Sequence, residues 1–188
     1  MKRVVIVHCW GGTPDYCWYL WVKQELEAKG FSVEVPAMPK TDEPKLLLWL
    51  PKLAETIGLP DEELYLIGHS IGCGTIMRYL EQLPVGRVGG VVLVAGFSDD
   101  LGVKELKNFY ETPLDFDAIR KKSAKGFINI HSDNDQYVPL VHSSKLKEGL
   151  GGEAIVLHNK YHFSGPTDGE PACTELPEVV AAVAKMSQ

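Results

Sequence analysis

Residues 68–72 read Gly68-His69-Ser70-Ile71-Gly72, a G-x-S-x-G pentapeptide, directly after the apolar run Leu64-Tyr65-Leu66-Ile67. A helical pattern begins at once behind it. A serine at the apex of strand, tight turn and helix is the setting of a nucleophile elbow, which lifts the hydroxyl above the sheet edge on a strained backbone. Glycine suits positions 68 and 72 because a side chain at either would strike the neighbouring helix or strand. The same pentapeptide could hold a serine that merely caps a helix, so the residues able to partner Ser70 decide between the two.

A serine hydroxyl is a poor nucleophile unless a base stands beside it, and the base must be held in one tautomer by a third group. In one recurrent chain order the acid follows the serine and the histidine comes last. The acid expected here is Asp135, in Ser132-Asp133-Asn134-Asp135-Gln136-Tyr137-Val138-Pro139, a loop between a predicted strand and a proline-initiated helix. Asp133 is its first competitor, and Asp99 and Asp100 follow the preceding strand. Asp and Asn also favour turns and helix caps, which is the plainer account of this loop. Of six histidines, His162 lies a few residues beyond the last predicted strand, where a general base belongs, and His158 is the runner-up. His8 and His69 flank the site in sequence and are expected to pack or hydrogen-bond near it. His131 and His142 read as structural or exposed. Neither a zinc spacing nor the glycine and distal glutamate of a calcium loop is present, so this chemistry calls for no metal and no cofactor.

Acyl transfer also needs donors for the developing oxyanion, each worth on the order of 10²–10³ in turnover. The N–H of Ile71, next after the serine, is one candidate. The N–H of Trp10, in His8-Cys9-Trp10-Gly11-Gly12 after the first strand, is the other; that loop could equally be an ordinary glycine turn.

Buried strands alternate with helices along the whole chain. Strands are expected at Arg3–His8, Phe31–Pro36, Glu63–Ile67, Gly89–Ala95, Gly126–His131 and Glu153–Leu157. Helices are expected at Tyr16–Lys29 (Trp18, Trp21, Val22 and Leu26 inward), from Pro44 with a kink or break at Pro51, at Ser70–Leu83, from Asp115, at Pro139–Leu150 and at Leu176–Lys185. Such alternation implies an α/β three-layer αβα sandwich with a mainly parallel sheet of about six strands. Ligands then bind at the carboxyl ends of the strands. One domain, residues 1–188, accounts for the length.

The chain has 188 residues and a net charge of −6. An acidic balance argues against nucleic acid or an anionic membrane as the main partner. The longest basic cluster, Arg120-Lys121-Lys122, reads as a solvated helix end. Lys2-Arg3 precedes an apolar run too short for a secretory core, and Cys9, Cys17, Cys73 and Cys173 form no C-x-x-C pair. The expectation is a cytoplasmic protein with reduced thiols and a small-molecule acyl substrate.

With these residues in hand, the chain resembles the small, lidless α/β-hydrolases of the retinoblastoma-binding serine hydrolase group and the YdeN-like bacterial proteins. The resemblance runs nearly end to end. It is carried by the first strand and glycine loop, Trp18-Tyr19-Leu20-Trp21, Gly68-His69-Ser70-Ile71-Gly72-Cys73, Leu93-Val94-Ala95-Gly96-Phe97, Asp135-Gln136-Tyr137-Val138-Pro139 and His162-Phe163. It implies a minimal α/β-hydrolase fold without a cap domain, Ser70 as nucleophile, Asp135 as acid and His162 as base. Two positions depart from the family pattern: Cys9 replaces the glycine common after His8, and Tyr161 precedes His162 where glycine is usual. The connection Gly96–Thr112 is too short for a cap, so the mouth is expected to be open and shaped by Phe97, Phe109, Tyr110, Tyr137 and Phe163, unless these pack the core. The resulting expectation is a serine esterase for small esters or thioesters. A binding module on the same scaffold, or a peptidase or acyltransferase using the same three residues, is the alternative.

Overall fold

The computed structural model describes all residues, Met1–Gln188. Six strands, β1 (Arg3–Val7), β2 (Ser32–Glu34), β3 (Leu64–His69), β4 (Gly90–Val94), β5 (Phe127–Ser132) and β6 (Glu153–Leu157), form one sheet. Its order is β2-β1-β3-β4-β5-β6, and every neighbouring pair is parallel. Six helices connect or follow them: α1 (Tyr19–Ala28), α2 (Leu46–Ile57), α3 (Ile71–Gln82), α4 (Phe116–Arg120), α5 (Val141–Leu150) and α6 (Pro177–Met186).

Strand residues alternate between two apolar layers, as the pleat requires. Val5, Val7, Leu64, Leu66, Val91, Leu93 and Phe127 face one layer with Trp49, Leu53, Ile76, Leu80 and Leu146 from α2, α3 and α5. Val4, Ile6, Tyr65, Ile67, Val92, Val94, Ile128 and Ile130 face the other, with Trp18, Val22, Leu26, Val179 and Val183 around α1 and α6. Full burial of each such side chain contributes about 1.5–3 kcal/mol, and all four cysteines remain free thiols. No helix is long and apolar enough to cross a membrane.

The sheet order places the site. From β1 the chain moves outward to β2, then returns to lay β3 on the other side of β1. The direction of winding reverses between β1 and β3, and their carboxyl ends splay open into a crevice. Val7 of β1 pairs with Gly68 of β3, so the His8–Gly12 loop and Ser70 emerge side by side. At the opposite rim the Lys2 ammonium donates to the Ser187 carbonyl, so the two chain ends meet there.

Three local expectations shift. The first helix begins at Tyr19 and not Tyr16, because Cys17 adopts φ 46°, a left-handed conformation no helix accommodates. Tyr19 is fully buried in that helix, whereas Trp21 lies on its half-buried flank. Helix α2 runs unbroken through Pro51. The carbonyl that the proline leaves without a donor is that of Leu47, a residue on the exposed side where water can serve it.

Candidate active site

Ser70 is the hinge between β3 and α3 and has φ 55° and ψ −121°. That conformation costs a non-glycine residue about 1–3 kcal/mol. It is held by the Ser70 N–H donating to Val94 O at 2.9 Å and by Ser70 O accepting from the Cys73 N–H at 2.9 Å. The two glycines fit because of their neighbours. A Cβ on Gly68 would stand 2.8 Å from Cys73 Cα in α3, and one on Gly72 would stand 2.3 Å from Val7 O in β1.

Three side chains from three distant segments meet at this hinge. The Ser70 hydroxyl donates to His162 Nε2 at 2.9 Å. His162 Nδ1–H donates to Asp135 Oδ2 at 2.8 Å. The other Asp135 oxygen accepts the N–H groups of Tyr137 at 2.8 Å and Val138 at 2.9 Å. Burial alone would raise the Asp135 pKa. The hydrogen bond from His162 and those from the two loop amides outweigh that effect and hold the carboxyl below its usual value. The Tyr137 ring and the His162 imidazole pack edge to face, 5.0 Å between centroids.

The competing residues are engaged elsewhere. Asp133 bonds the exposed His158 at 2.5 Å. Asp99 pairs with Lys145, and Asp100 accepts from the Gly102 N–H. His8 Nε2 accepts the Met38 N–H, so its Nδ1–H donates to Cys9 O.

The Ile71 N–H belongs to the first turn of α3, whose donors the helix itself cannot satisfy. The Trp10 loop is pinned from outside: Trp10 Nε1–H donates to Asp42 O and the Gly11 N–H to Thr41 O, each at 2.9 Å. At position 9, the Cys9 N–H donates to the Tyr19 hydroxyl, and burial pushes the thiol up to about 12.

His69 ties this loop to the base. Its Nε2–H donates to His162 O at 2.8 Å, so its Nδ1 must accept, and it does so from the Tyr19 hydroxyl at 2.6 Å. Burial first, and the neighbouring His162 second, lower the His69 pKa from 6.5 to about 3. A folded pKa below the unfolded one means the unfolded chain takes up the proton first as pH falls. The stabilisation is complete above about pH 6.5 and is lost progressively toward pH 3. This ring alone is expected to remove about 2 kcal/mol of unfolding free energy between pH 7 and pH 5. The lowered values of His8, His131 and His142 act in the same direction. Urea unfolding at the two pH values measures the change, and equal midpoints would contradict it.

A cavity of about 380 Å³ opens over Ser70. Phe97 and Tyr137 line it, as do Trp10, Ile71 and His162, but Phe109, Tyr110 and Phe163 do not. The connection after β4 forms a 3-10 turn, Lys104–Phe109, in which every third residue shares a face. Val103 and Leu106 on that face reach the cavity with Leu101, while Phe109 is carried deeper and packs edge-on against Trp49. The Tyr110 hydroxyl donates back to Phe97 O, and Phe163 is buried in the layer around α1 and α6. Aromatic character does not mark the cavity wall in this stretch, where the aliphatic Leu101, Val103 and Leu106 line it. Asp42, Asp168 and Ser164, not expected from the sequence, complete the polar lining, and the cavity wall contains no lysine or arginine.

This sheet, with the hydrogen-bonded row at its carboxyl rim and no separate cap domain, is that of a minimal α/β-hydrolase. The chain belongs to the serine hydrolase family, whose profile it matches over residues 4–181. It is similar to YdeN of Bacillus subtilis (strain 168), at 32% identity over 164 residues and 86% of each chain. It is also similar to serine hydrolase RBBP9 of Rattus norvegicus, at 27% identity over 189 residues, 98% of this chain and 95% of that one. The crystal structure of the ydeN gene product from B. subtilis matches with a TM-score of 0.91 at 30% identity, covering 99% of this chain and 98% of that chain.

Proposed function

We propose that the protein hydrolyses small carboxylic esters or thioesters that carry no negative charge through an acyl-enzyme on Ser70. The observation that carries this reading is the unbroken row Ser70–His162–Asp135 at the floor of an apolar cavity. Ser70 Oγ attacks the carbonyl as His162 Nε2 takes its proton, and Asp135 holds the imidazolium that forms. The N–H groups of Ile71 and Trp10 receive the oxyanion. Collapse expels the alcohol or thiol with the proton from His162. Water, activated by the same nitrogen, then releases the acid.

The cavity is near the lower end of small-molecule sites, which favours a short acyl group against Leu101, Val103 and Leu106. Asp42 and Asp168, with no facing cation, disfavour substrates that bring a negative charge. Four free thiols suit a reducing, cytoplasmic compartment.

A panel of p-nitrophenyl esters with a fluorophosphonate probe tests the proposal. Acetyl and butyryl esters are expected to turn over, an ester ending in a free carboxylate more slowly, and long-chain triglycerides not at all. Ser70→Ala is expected to abolish both turnover and labelling. A variant that is still labelled at full strength, or a wild-type protein inert toward every activated ester, would reject the reading.

A further inference from the structure

The segment that presents His162 is held in a conformation its own sequence disfavours. Asn159, Tyr161 and Phe163 alternate at φ 56°, 51° and 59°, in the left-handed region that side chains with a Cβ avoid. None of the three is glycine, and the segment has no ladder or helix to hold it. Its amides are satisfied one by one. The N–H of Asn159 donates to Asp133 Oδ1, that of Lys160 to Ser132 Oγ and that of Tyr161 to Asn134 Oδ1. The loop that carries Asp135 thus templates the first half of the segment that carries His162.

In the second half the Phe163 N–H donates to Lys160 O at 3.0 Å, and a buried carboxylate takes the amides on either side of it. Glu170 is buried, 5% exposed. One of its oxygens accepts the His162 N–H at 2.8 Å and the other accepts the Ser164 N–H at 2.5 Å. The two bonds bracket Phe163, the last of the strained positions. On the far side of the same residue the His162 carbonyl accepts from His69 Nε2–H. Both polar groups of the His162 backbone are therefore gripped by buried side chains, while its ring spans Asp135 and Ser70.

We propose that Glu170 is a positioning residue for the general base, its carboxylate fixing the His162 backbone so that the imidazole stays in line between Asp135 and Ser70. This rests on the reading of Ser70 and His162 above. Two acceptors are needed at this spacing, and a carboxylate supplies both. A carboxamide of the same shape must turn its NH₂ toward one of the two amides, setting donor against donor. The loop then relaxes away from the strained geometry, and displacement of a reacting group by about 1 Å can cost 10²-fold in rate.

The test is steady-state hydrolysis of p-nitrophenyl butyrate by the full chain, normalised to sites titrated with a fluorophosphonate. Glu170→Gln is expected to lower kcat by about 10- to 100-fold with KM within about twofold. The low-field proton resonance of His162 Nδ1–H, assigned by its loss in Asp135→Ala, is expected to shift or broaden. Glu170→Asp keeps both acceptors on a shorter stem, so its kcat is expected between the other two and at least about threefold below wild type. A merely structural role would lower the unfolding midpoint and leave kcat per titrated site and the resonance unchanged, which would overturn the proposal. Should Glu170→Gln not fold, a wild-type kcat in Glu170→Asp overturns it equally. If Ser70→Ala retains activity, the reading of the site fails and Glu170 with it. If Ser70→Ala is dead and both Glu170 variants match wild type, the assignment of Glu170 alone fails.

Discussion

Replacing Asp135 by asparagine is expected to lower kcat for a short ester by about 10⁴-fold while leaving the fold intact. The reason is the division of labour between the two carboxylate oxygens. Oδ1 accepts from the Tyr137 and Val138 amides, and Oδ2 accepts from His162. Asparagine has one acceptor oxygen. If that oxygen keeps the two loop amides, its NH₂ faces His162 Nδ1 and can only donate. The imidazole then carries its proton on Nε2, pointing at Ser70, and cannot take the serine proton. Activity measured per folded molecule, with circular dichroism as the check on folding, tests this. A loss of less than tenfold would mean that His162 does not depend on Asp135 for its tautomer.

The second large effect is expected on stability. Gly72→Ala places a methyl group 2.3 Å from Val7 O and 2.8 Å from His8 O. Both obstacles are backbone, at the end of a central strand, so no side chain can swing aside. Overpacking usually costs 1–3 kcal/mol, and a rigid contact belongs at the top of that range. About 3 kcal/mol corresponds to a fall in Tm of about 6–12 °C for a chain of this size. The helix can relieve the clash only by withdrawing from β1, which widens the gap between the Ile71 and Trp10 amides. The residual folded protein is therefore expected to label more slowly at Ser70. Thermal unfolding and the labelling rate give the two readouts, and an unshifted Tm would show that α3 is free to move.

Much of this architecture was legible because the physics involved is local. Runs such as Val91-Val92-Leu93-Val94 are apolar on both faces and announce a parallel strand covered on two sides. The glycine loop after β1 and the pentapeptide around Ser70 follow such strands, and their placement fixes which rim they occupy. Asp135 and His162 each follow a strand of the same sheet, but so do Asp133, Asp99 and His158, so position narrowed the choice without completing it. What stayed hidden depends on contacts distant in sequence. Nothing in Phe109 or Phe163 distinguishes a cavity wall from the core, because both environments reward the same ring. Glu170 lies in an irregular stretch near the 3-10 turn Pro166–Asp168 and Gly169, and its task exists only once the chain has folded back over His162. Tyr161 stood out where glycine was usual. Its positive φ is the physical content of that difference, and the surrounding hydrogen bonds are what make it tolerable.

The contact between Lys2 and Ser187 marks the rim of the sheet that bears no reactive side chain. Strand β3 alone separates that rim from Ser70 by roughly 20 Å. A linker to a solid support or a fused fluorescent reporter could be anchored at either terminus without shading the entrance through which reactants pass.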